Sequence, residues 1–226
     1  MPELPDRDAI EARLARLIGR ELQNQFHELM NLIGDPPNLS NVPESYWNNG
    51  GKELRNILEP ELTAIFMTQA ELLMNTVNIG VDWTLVNQRA VDFARSYTFD
   101  LVSGIVERDK VLLQSAIGDY FAQDLSIGQL TSRLSGAYGP VRAEMIAVTE
   151  TTRAAVEGEK ALAAEIEKMT GVIRMVGYWI TERDGNVCAI CQVNDRKPTA
   201  EVGFPPLHPR CRCNVRYEIE ANENSD

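Results

Sequence analysis

The chain has 226 residues, of which 44% are hydrophobic and 24% are charged, and its formal net charge at pH 7 is -11. This composition excludes a disordered, collagen-like or coiled-coil protein, and the surplus of acids argues against direct binding to nucleic-acid phosphates. No apolar stretch reaches the roughly 18 residues that a bilayer-spanning helix needs, and the opening MPELPDRD lacks the basic and apolar regions of a secretory signal, so we expect no membrane association and no export.

The first predicted element is an amphipathic helix within residues 1–33. From Asp8 to Ile33, apolar residues recur at intervals of three and four, which places them on one helical face. The pattern stops at the sequence GDPP, and residues 34–52, rich in Asn, Pro and Gly, are predicted to form an irregular linker. An apolar face joined through such a linker suggests that the N-terminal helix docks on a partner protein.

Two aromatic residues lie in this linker, Tyr46 and Trp47, and they are predicted either to pack on their own domain or to contact a partner.

Residues 53–139 follow as a helical body. Apolar spacings predict its helices at Pro60–Thr76, Trp83–Val106, Lys110–Ala122 and Ser126–Leu134. Ser126 is the predicted N-cap of the last helix, because a serine oxygen can accept a hydrogen bond from a free N–H group of the first turn.

Residues 140–219 begin with the longest helix signal, about Val141 to Met169, and then change period. Val172–Thr181 and Cys213–Ile219 read as strands, with a turn at Asp184-Gly185-Asn186 between them. The predicted fold class is therefore mainly α with a small C-terminal β element (α+β), a helical body that carries a zinc-clasped β-hairpin. Residues 220–226 form a polar tail.

All four cysteines of the chain lie in this last segment, at Cys188, Cys191, Cys211 and Cys213. A disulfide framework is typical of small secreted proteins, so clustering without a secretory signal indicates a metal site. The pattern is C-x2-C followed by H-x2-C-x-C, which begins at His208. Zinc takes four tetrahedral sulfur or imidazole ligands, and a two-residue gap lets two side chains of one turn reach the same ion.

Five candidate ligands therefore compete for four positions. The C-x2-C pair supplies two, and His208 with Cys211 repeats the two-residue spacing, which makes these four the preferred set. The main rival set consists of the four cysteines, and two disulfides or four free thiols are the alternative without metal. Four protein ligands would fill the coordination sphere, so the predicted zinc is structural and contributes folding free energy rather than catalysis.

Residues that point to enzymatic chemistry are scarce. The chain has no dinucleotide-binding, phosphate-loop, nucleophile-elbow or H-E-x-x-H pattern. Glu150, Glu157 and Glu165 on the long helix could be paired carboxylates but are interpreted as a solvated helix face. We therefore predict that the protein is not an enzyme. Two alternatives stay open: a metal-dependent nuclease, in which the four cysteines bind the metal and free His208 as a base, and a zinc-bearing adaptor for protein interactions.

Four sequence blocks carry a resemblance to a known family. They are IAVTETTRA at 146–154, GYW at 177–179, DGNVCAIC at 184–191 and PPLHPRCRC at 205–213. Together they resemble the phage Mu F-like minor head protein (phage head morphogenesis) family, over roughly residues 128–217. The last block is the most specific. Val148 departs from the pattern, since an arginine is expected there, and residues 1–127 lie outside the resemblance.

The resemblance implies a structural protein of a tailed phage or prophage that is present in few copies per particle. Such a protein would bind the portal, the major capsid protein or both, and would assist head morphogenesis, DNA packaging or delivery of the genome. Its expected location is the virion, in the head interior or at the portal vertex, and the host cytoplasm during assembly. A homo-oligomer is compatible with this role. The polar tail predicts no attached toxin or nuclease domain.

Overall fold

The computed structural model describes residues 4–77, 79–181 and 187–221. Within them the protein is mainly α-helical with a small antiparallel sheet near the C-terminus, which confirms the predicted fold class. The helices are α1 (Arg7–Ile33), α2 (Glu44–Val77), α3 (Trp83–Ala122), α4 (Ile127–Ser135), α5 (Pro140–Thr170), α6 (Ala189–Gln192) and α7 (Thr199–Val202), and the strands are β1 (Ile173–Ile180) and β2 (Asn214–Ala221). No described helix combines the length and the apolar character that crossing a membrane requires.

The chain divides into two compact units, each assembled from separate segments. The first unit comprises Met1–Glu11, Glu61–Ala94 and Val148–Asp226, and it contains both strands. The second unit comprises Ala12–Pro60 and Arg95–Ala147. The sequence predicted consecutive segments, with boundaries after residues 33, 52, 139 and 219, because periodicity along a chain does not reveal which distant segments pack together.

Helix α1 matches the predicted N-terminal helix to within one residue, and it ends where Gly34 adopts the left-handed conformation with φ 72°. Its apolar face is buried in the chain's own fold. The side chains without exposed surface along it are Leu14, Ile18, Leu22, Leu29 and Ile33. The predicted docking of a partner on this face is therefore corrected, because each side chain would have to leave the core at a cost of roughly 1.5–3 kcal/mol.

The predicted linker at residues 34–52 is irregular only in its first part, because α2 covers the second part. Tyr46 and Trp47 are buried, and the Tyr46 hydroxyl donates to the backbone carbonyl of Gln25 at 2.9 Å. At Gly50 an added Cβ would lie 2.8 Å from the Gln25 Cδ atom. A sequence that favours a loop is thus helical here because Tyr46 and Gly50 fit against Gln25 of α1. The prediction of an irregular linker is wrong for this part, and packing of the aromatic pair within its own domain is confirmed.

Two helices are longer than predicted. Helix α2 continues through Pro60, although proline in a helix interior costs about 3 kcal/mol, and fully buried leucines on either side of it offset this cost. Helix α3 joins the predicted helices Trp83–Val106 and Lys110–Ala122 into one. The short α4 agrees with its prediction, because Ser126 and Gln129 form a capping box in which each side chain accepts a hydrogen bond from the other's backbone N–H.

The core of the first unit forms where α2 packs on α5. The two helices approach each other closely at Gly158, where an added Cβ would lie 2.3 Å from the carbonyl oxygen of Phe66. Phe66, Leu162 and Ile166 are buried in the same cluster, which also includes apolar residues of α3 and Met175 of β1. This core therefore connects the long helices of the unit to the C-terminal sheet.

Several acidic side chains of α5 are buried in the first unit. The exposed fraction is at most 5% for Glu150, Glu159 and Glu165. Glu165 lies 3.2 Å from a guanidinium nitrogen of Arg89 in α3, and Glu159 accepts a hydrogen bond of 2.6 Å from the Gln69 amide in α2. The interpretation of Glu150 and Glu165 as part of a solvated face is therefore wrong. The partners of Glu159 and Glu165 come from segments that are distant in the sequence.

Glu159 should make the stability of the protein depend on pH. Burial raises the pKa of its carboxyl from the usual 4.5 to about 8, and the hydrogen bond from Gln69 offsets only part of this rise. Between these two values the folded state holds a proton that the unfolded chain releases. The contribution of Glu159 to stability is thus intact below about pH 4.5 and falls as the pH rises towards about 8.

We expect Glu159→Gln to reduce the loss of stability between pH 5 and pH 9, because the amide keeps an acceptor for Gln69 but carries no charge. Urea unfolding at both pH values measures this loss as a difference in unfolding free energy. Glu157→Gln is the matched control, since Glu157 is a half-buried neighbour on the same helix. An equal loss of stability in the wild type and in Glu159→Gln would contradict the prediction.

Candidate metal centre

The two strands hold the ends of the cysteine-containing segment together. β1 and β2 pair antiparallel in a register that joins Ile180 to Asn214, so the chain leaves β1 and enters β2 at the same end of the sheet. Both strands lie close to their predicted positions. The predicted turn at residues 184–186 lies outside the described residues. Residues 187–213 between the strands contain all the predicted metal ligands.

The first cysteine pair lies on one short helical turn. Cys188 is the N-cap of α6, and its sulfur accepts a hydrogen bond of 3.4 Å from the backbone N–H of Cys191. The cap turns both sulfurs towards the same point, which is what the two-residue gap predicts. Cys191 is buried, whereas Cys188 is partly exposed.

The second group of candidates is held by a tight turn. The backbone N–H of Cys211 donates to the carbonyl of His208 at 3.2 Å, and Arg210 between them has a positive φ of 61°. Arg210 also donates its backbone N–H to the hydroxyl of Thr149 on α5 at 2.9 Å. The turn thereby places the imidazole against the sulfurs of Cys188 and Cys191, and the Cys211 sulfur against that of Cys191.

The five predicted ligands converge in two overlapping groups that could hold a metal ion. One group is Cys188, Cys191 and His208, the other is Cys191, Cys211 and Cys213, and within each group the ligand atoms lie within 4.8 Å of one another. Cys191 belongs to both. The structure therefore brings together every residue that the sequence predicted, while the choice of four ligands among the five stays a prediction.

Within each of the two groups, some pair distances are close to those of a tetrahedral zinc site. The sulfurs of Cys191 and Cys211 are 3.7 Å apart. Two thiolates on a tetrahedral zinc, each with a Zn–S bond of about 2.3 Å, would be roughly 3.8 Å apart. The Nε2 atom of His208 lies 3.1 Å from the Cys188 sulfur and 3.2 Å from the Cys191 sulfur, somewhat closer than the roughly 3.5 Å expected around zinc. All four cysteines are free thiols, so the alternative of two disulfides does not describe this arrangement.

The imidazole of His208 has the orientation of a metal ligand. Its Nδ1 atom is 2.8 Å from the backbone carbonyl oxygen of Pro209, a contact in which the nitrogen must donate. That tautomer leaves the Nε2 lone pair free, and Nε2 is the atom that faces two sulfurs. Metal-binding histidines usually donate their second ring nitrogen to a carboxylate, a carbonyl or water in this way.

The thiol pKa values show how the cluster distributes charge. A hydrogen bond from the Cys213 thiol lowers the pKa of Cys211 to about 5, and the same bond raises the pKa of Cys213. Burial raises the pKa of Cys191 to about 12. The N–H group of Cys191 lowers the pKa of Cys188, and the bond to the Pro209 carbonyl raises that of His208. A bound cation would let the neighbouring thiols ionise as well, because its positive charge offsets their mutual repulsion.

Residues 187–213, which carry the candidate metal ligands, form what we call the metal loop, and the sequence did not reveal the residues that hold this loop from outside. The hydroxyl of Thr152 donates to the Cys211 carbonyl at 2.6 Å, and Arg7 donates to the Arg212 carbonyl at 3.0 Å. Thr149 and Thr152 lie in the IAVTETTRA block, which was the only signal for them. No sequence pattern indicated that Arg7, at the start of α1, would contact this loop. Trp179, from the GYW block, is fully buried in one apolar cluster with three of the cysteines.

Comparisons of the chain with protein-family models, with curated proteins and with solved structures found no match. The residues of the centre and the motifs that build it are therefore the observations that bear on function.

Proposed function

We propose that this protein is a structural component of a phage head whose C-terminal module, residues 140–219, is held closed by one zinc ion, and that it is not an enzyme. The observation that carries the proposal is the convergence of separate sequence blocks on one centre. The helix block supplies Thr149 and Thr152, and the GYW block supplies Trp179. The remaining two blocks supply the cysteines and His208. A single metal-stabilised module would thus explain why the chain contains all four sequence blocks on which the resemblance depends.

Zinc suits this set of donors better than other common metals. Thiolate and imidazole ligands in a tetrahedral arrangement favour zinc, whereas calcium and magnesium prefer oxygen ligands. Four protein ligands leave no coordination position for water, so the metal would stabilise the fold and would not activate a substrate. The preferred ligands remain Cys188, Cys191, His208 and Cys211.

The partners we propose are proteins, namely the portal, the major capsid protein or both. The net charge of -11 disfavours binding to DNA phosphates, which depends on Lys and Arg. Because the apolar face of α1 is buried, the contact with the head would use another surface of the chain. The proposed location is the head interior or the portal vertex, and the proposed role is in head assembly, DNA packaging or genome delivery.

The nuclease alternative receives no support from the position of His208. A general base needs a free nitrogen directed at a substrate or a water molecule. The Nε2 atom of His208 instead faces two cysteine sulfurs at 3.1 and 3.2 Å, and its other nitrogen contacts a carbonyl. We therefore propose a ligand role for this histidine.

Particles of the phage or prophage that encodes the chain provide the test of the head role. We expect mass spectrometry of purified heads to find the wild-type chain in few copies per particle. A Cys191→Ser variant supplied in its place should be missing or strongly depleted, because its module would not fold. The matched control is Thr170→Val, a conservative change at the end of α5 that removes a hydroxyl whose hydrogen bond, in the described part of the chain, is to the Ile166 carbonyl of the same helix. Absence of the wild-type chain from intact heads would overturn the proposal.

A further inference from the structure

The peptide that follows the metal ligand Cys211 is bound by side chains from two distant parts of the first unit. Thr152 on α5 donates its hydroxyl to the Cys211 carbonyl at 2.6 Å. Arg7 at the start of α1 donates Nη1 to the next carbonyl, that of Arg212, at 3.0 Å. Arg7 Nη2 also donates to the Thr152 hydroxyl. The two side chains and the two carbonyls therefore form one connected network directly outside the ligand shell.

This network is well shielded from water. Thr152 is 1% exposed, and the side chains of Arg7 and Glu11 are 11% and 9% exposed. Glu11 accepts a hydrogen bond of 2.7 Å from Arg7 Nε and lies 3.4 Å from Arg212 Nε. A buried guanidinium is costly unless it is paired, and here a carboxylate, a hydroxyl and a carbonyl all accept from Arg7.

The ion pairs around Arg212 reinforce the same connection. Arg212 reaches Asp8 in the first turn of α1 as well as Glu11 just after that turn, so two acids near the start of α1 contact a residue that is flanked by two cysteines of the cluster. Residues 7–11 thus contact the metal loop at two points, the backbone carbonyl of Arg212 and the side chain of Arg212. Loss of order in the loop would remove every one of these contacts.

We propose that Thr152 and Arg7 are positioning residues of the metal centre and that metal binding and the docking of residues 7–11 stabilise each other. The inference rests on the proposed metal site and extends it to residues outside the cysteine and histidine motifs. Thermodynamic linkage makes the effect reciprocal. If docking of residues 7–11 raises the affinity for the metal by a given factor, metal binding raises the equilibrium constant for docking of these residues by the same factor. Removal of outer-shell partners typically weakens metal binding by about 10- to 100-fold.

The first test compares two neighbouring threonines of α5. Thr152→Val removes the hydroxyl bonded to the Cys211 carbonyl, and we expect the dissociation constant for zinc, measured by competition with a chelator, to rise by about 10-fold or more. Thr151→Val is the matched control, because the Thr151 hydroxyl is buried and has no hydrogen-bond partner among the described residues. That variant should bind zinc as the wild type does.

The second test measures reciprocity. Arg7→Gln should also weaken zinc binding, whereas Arg16→Gln should not, since Arg16 is exposed and, among the described residues, its hydrogen bond is to the Ala12 carbonyl of its own helix. In the wild type, removal of zinc by a chelator should increase amide hydrogen exchange in the first turns of α1, and in Arg7→Gln this exchange should already be fast with zinc present.

The outcomes separate this inference from the metal site itself. If the wild-type chain binds no zinc, the site and the inference both fail. If the wild type binds zinc but Thr152→Val and Arg7→Gln bind it as tightly as their controls do, the site stands and the inference is overturned. An N-terminal exchange rate that does not respond to zinc would also overturn it.

Discussion

Replacement of Cys191 by serine is expected to abolish zinc binding and to unfold the C-terminal module. Cys191 is the one residue that belongs to both ligand groups, and both the preferred set and the rival set of four ligands include it. A structural zinc contributes on the order of 10 kcal/mol of folding free energy. That amount is comparable to the total stability of a typical domain. The two-stranded sheet has little core of its own to compensate for such a loss.

Amide hydrogen exchange is the measurement for this variant. Protection in β1 and β2 should fall to the level seen in the chelated wild type, while amides in the middle of α3 keep most of theirs. Two further variants distinguish the ligand sets: with the preferred set, His208→Ala loses zinc and Cys213→Ser retains it. The opposite result would establish the four cysteines as the ligands. A Cys191→Ser variant with undiminished zinc binding would contradict the whole account of the site.

The second large effect is expected at Gly158. An alanine there would place its Cβ 2.3 Å from the carbonyl oxygen of Phe66, and the Phe66 carbonyl carbon and Cα lie only 3.0 and 3.1 Å from the same position. Backbone atoms in the middle of α2 cannot move aside as a flexible side chain would. Gly158→Ala should therefore destabilise the protein by about 3 kcal/mol or more. For a chain of this size we expect its melting temperature to fall by roughly 6–12 °C.

Two other helical glycines serve as controls for this substitution. Gly104 and Gly118 lie within α3, and a Cβ at either position would meet no atom within 4 Å. Alanine at these sites should stabilise the helix by about 0.5–1 kcal/mol, because it restricts the unfolded backbone without a clash. Thermal unfolding followed by circular dichroism measures all three variants. Equal melting temperatures for Gly158→Ala and the wild type would show that the close packing of α2 on α5 is not required.

Local patterns predicted those elements whose cause is itself local. The capping box of α4 depends on Ser126 and Gln129, three residues apart, and the spacing of apolar residues in α1 is decided within the helix. Residues 44–52 illustrate the limit of such patterns. Their composition favours a loop, and they are helical because Tyr46 and Gly50 fit against Gln25, a contact between residues that lie far apart in the chain.

The same difference between local and long-range causes separates the candidate ligands of the metal centre from the residues that contact the metal loop from outside. The five candidate ligands could be predicted because ligand spacing within a turn is a local property. The contacts of Thr152 and Arg7 could not be predicted from the sequence, because each side chain donates to a carbonyl of a segment that is distant in the chain. Glu159 and Glu165 were hidden for a related reason: their partners, Gln69 and Arg89, lie on helices that the sequence does not place beside α5.

The measurement that most directly tests the central claim is native mass spectrometry of the purified chain under reducing conditions, before and after chelation. We predict one zinc ion per chain before chelation, none afterwards, and a more open charge-state distribution once the metal is removed. A chain that is metal-free as purified, takes up no added zinc and nevertheless remains fully folded would contradict the proposed zinc-held module. It would also remove the physical reason for the PPLHPRCRC block.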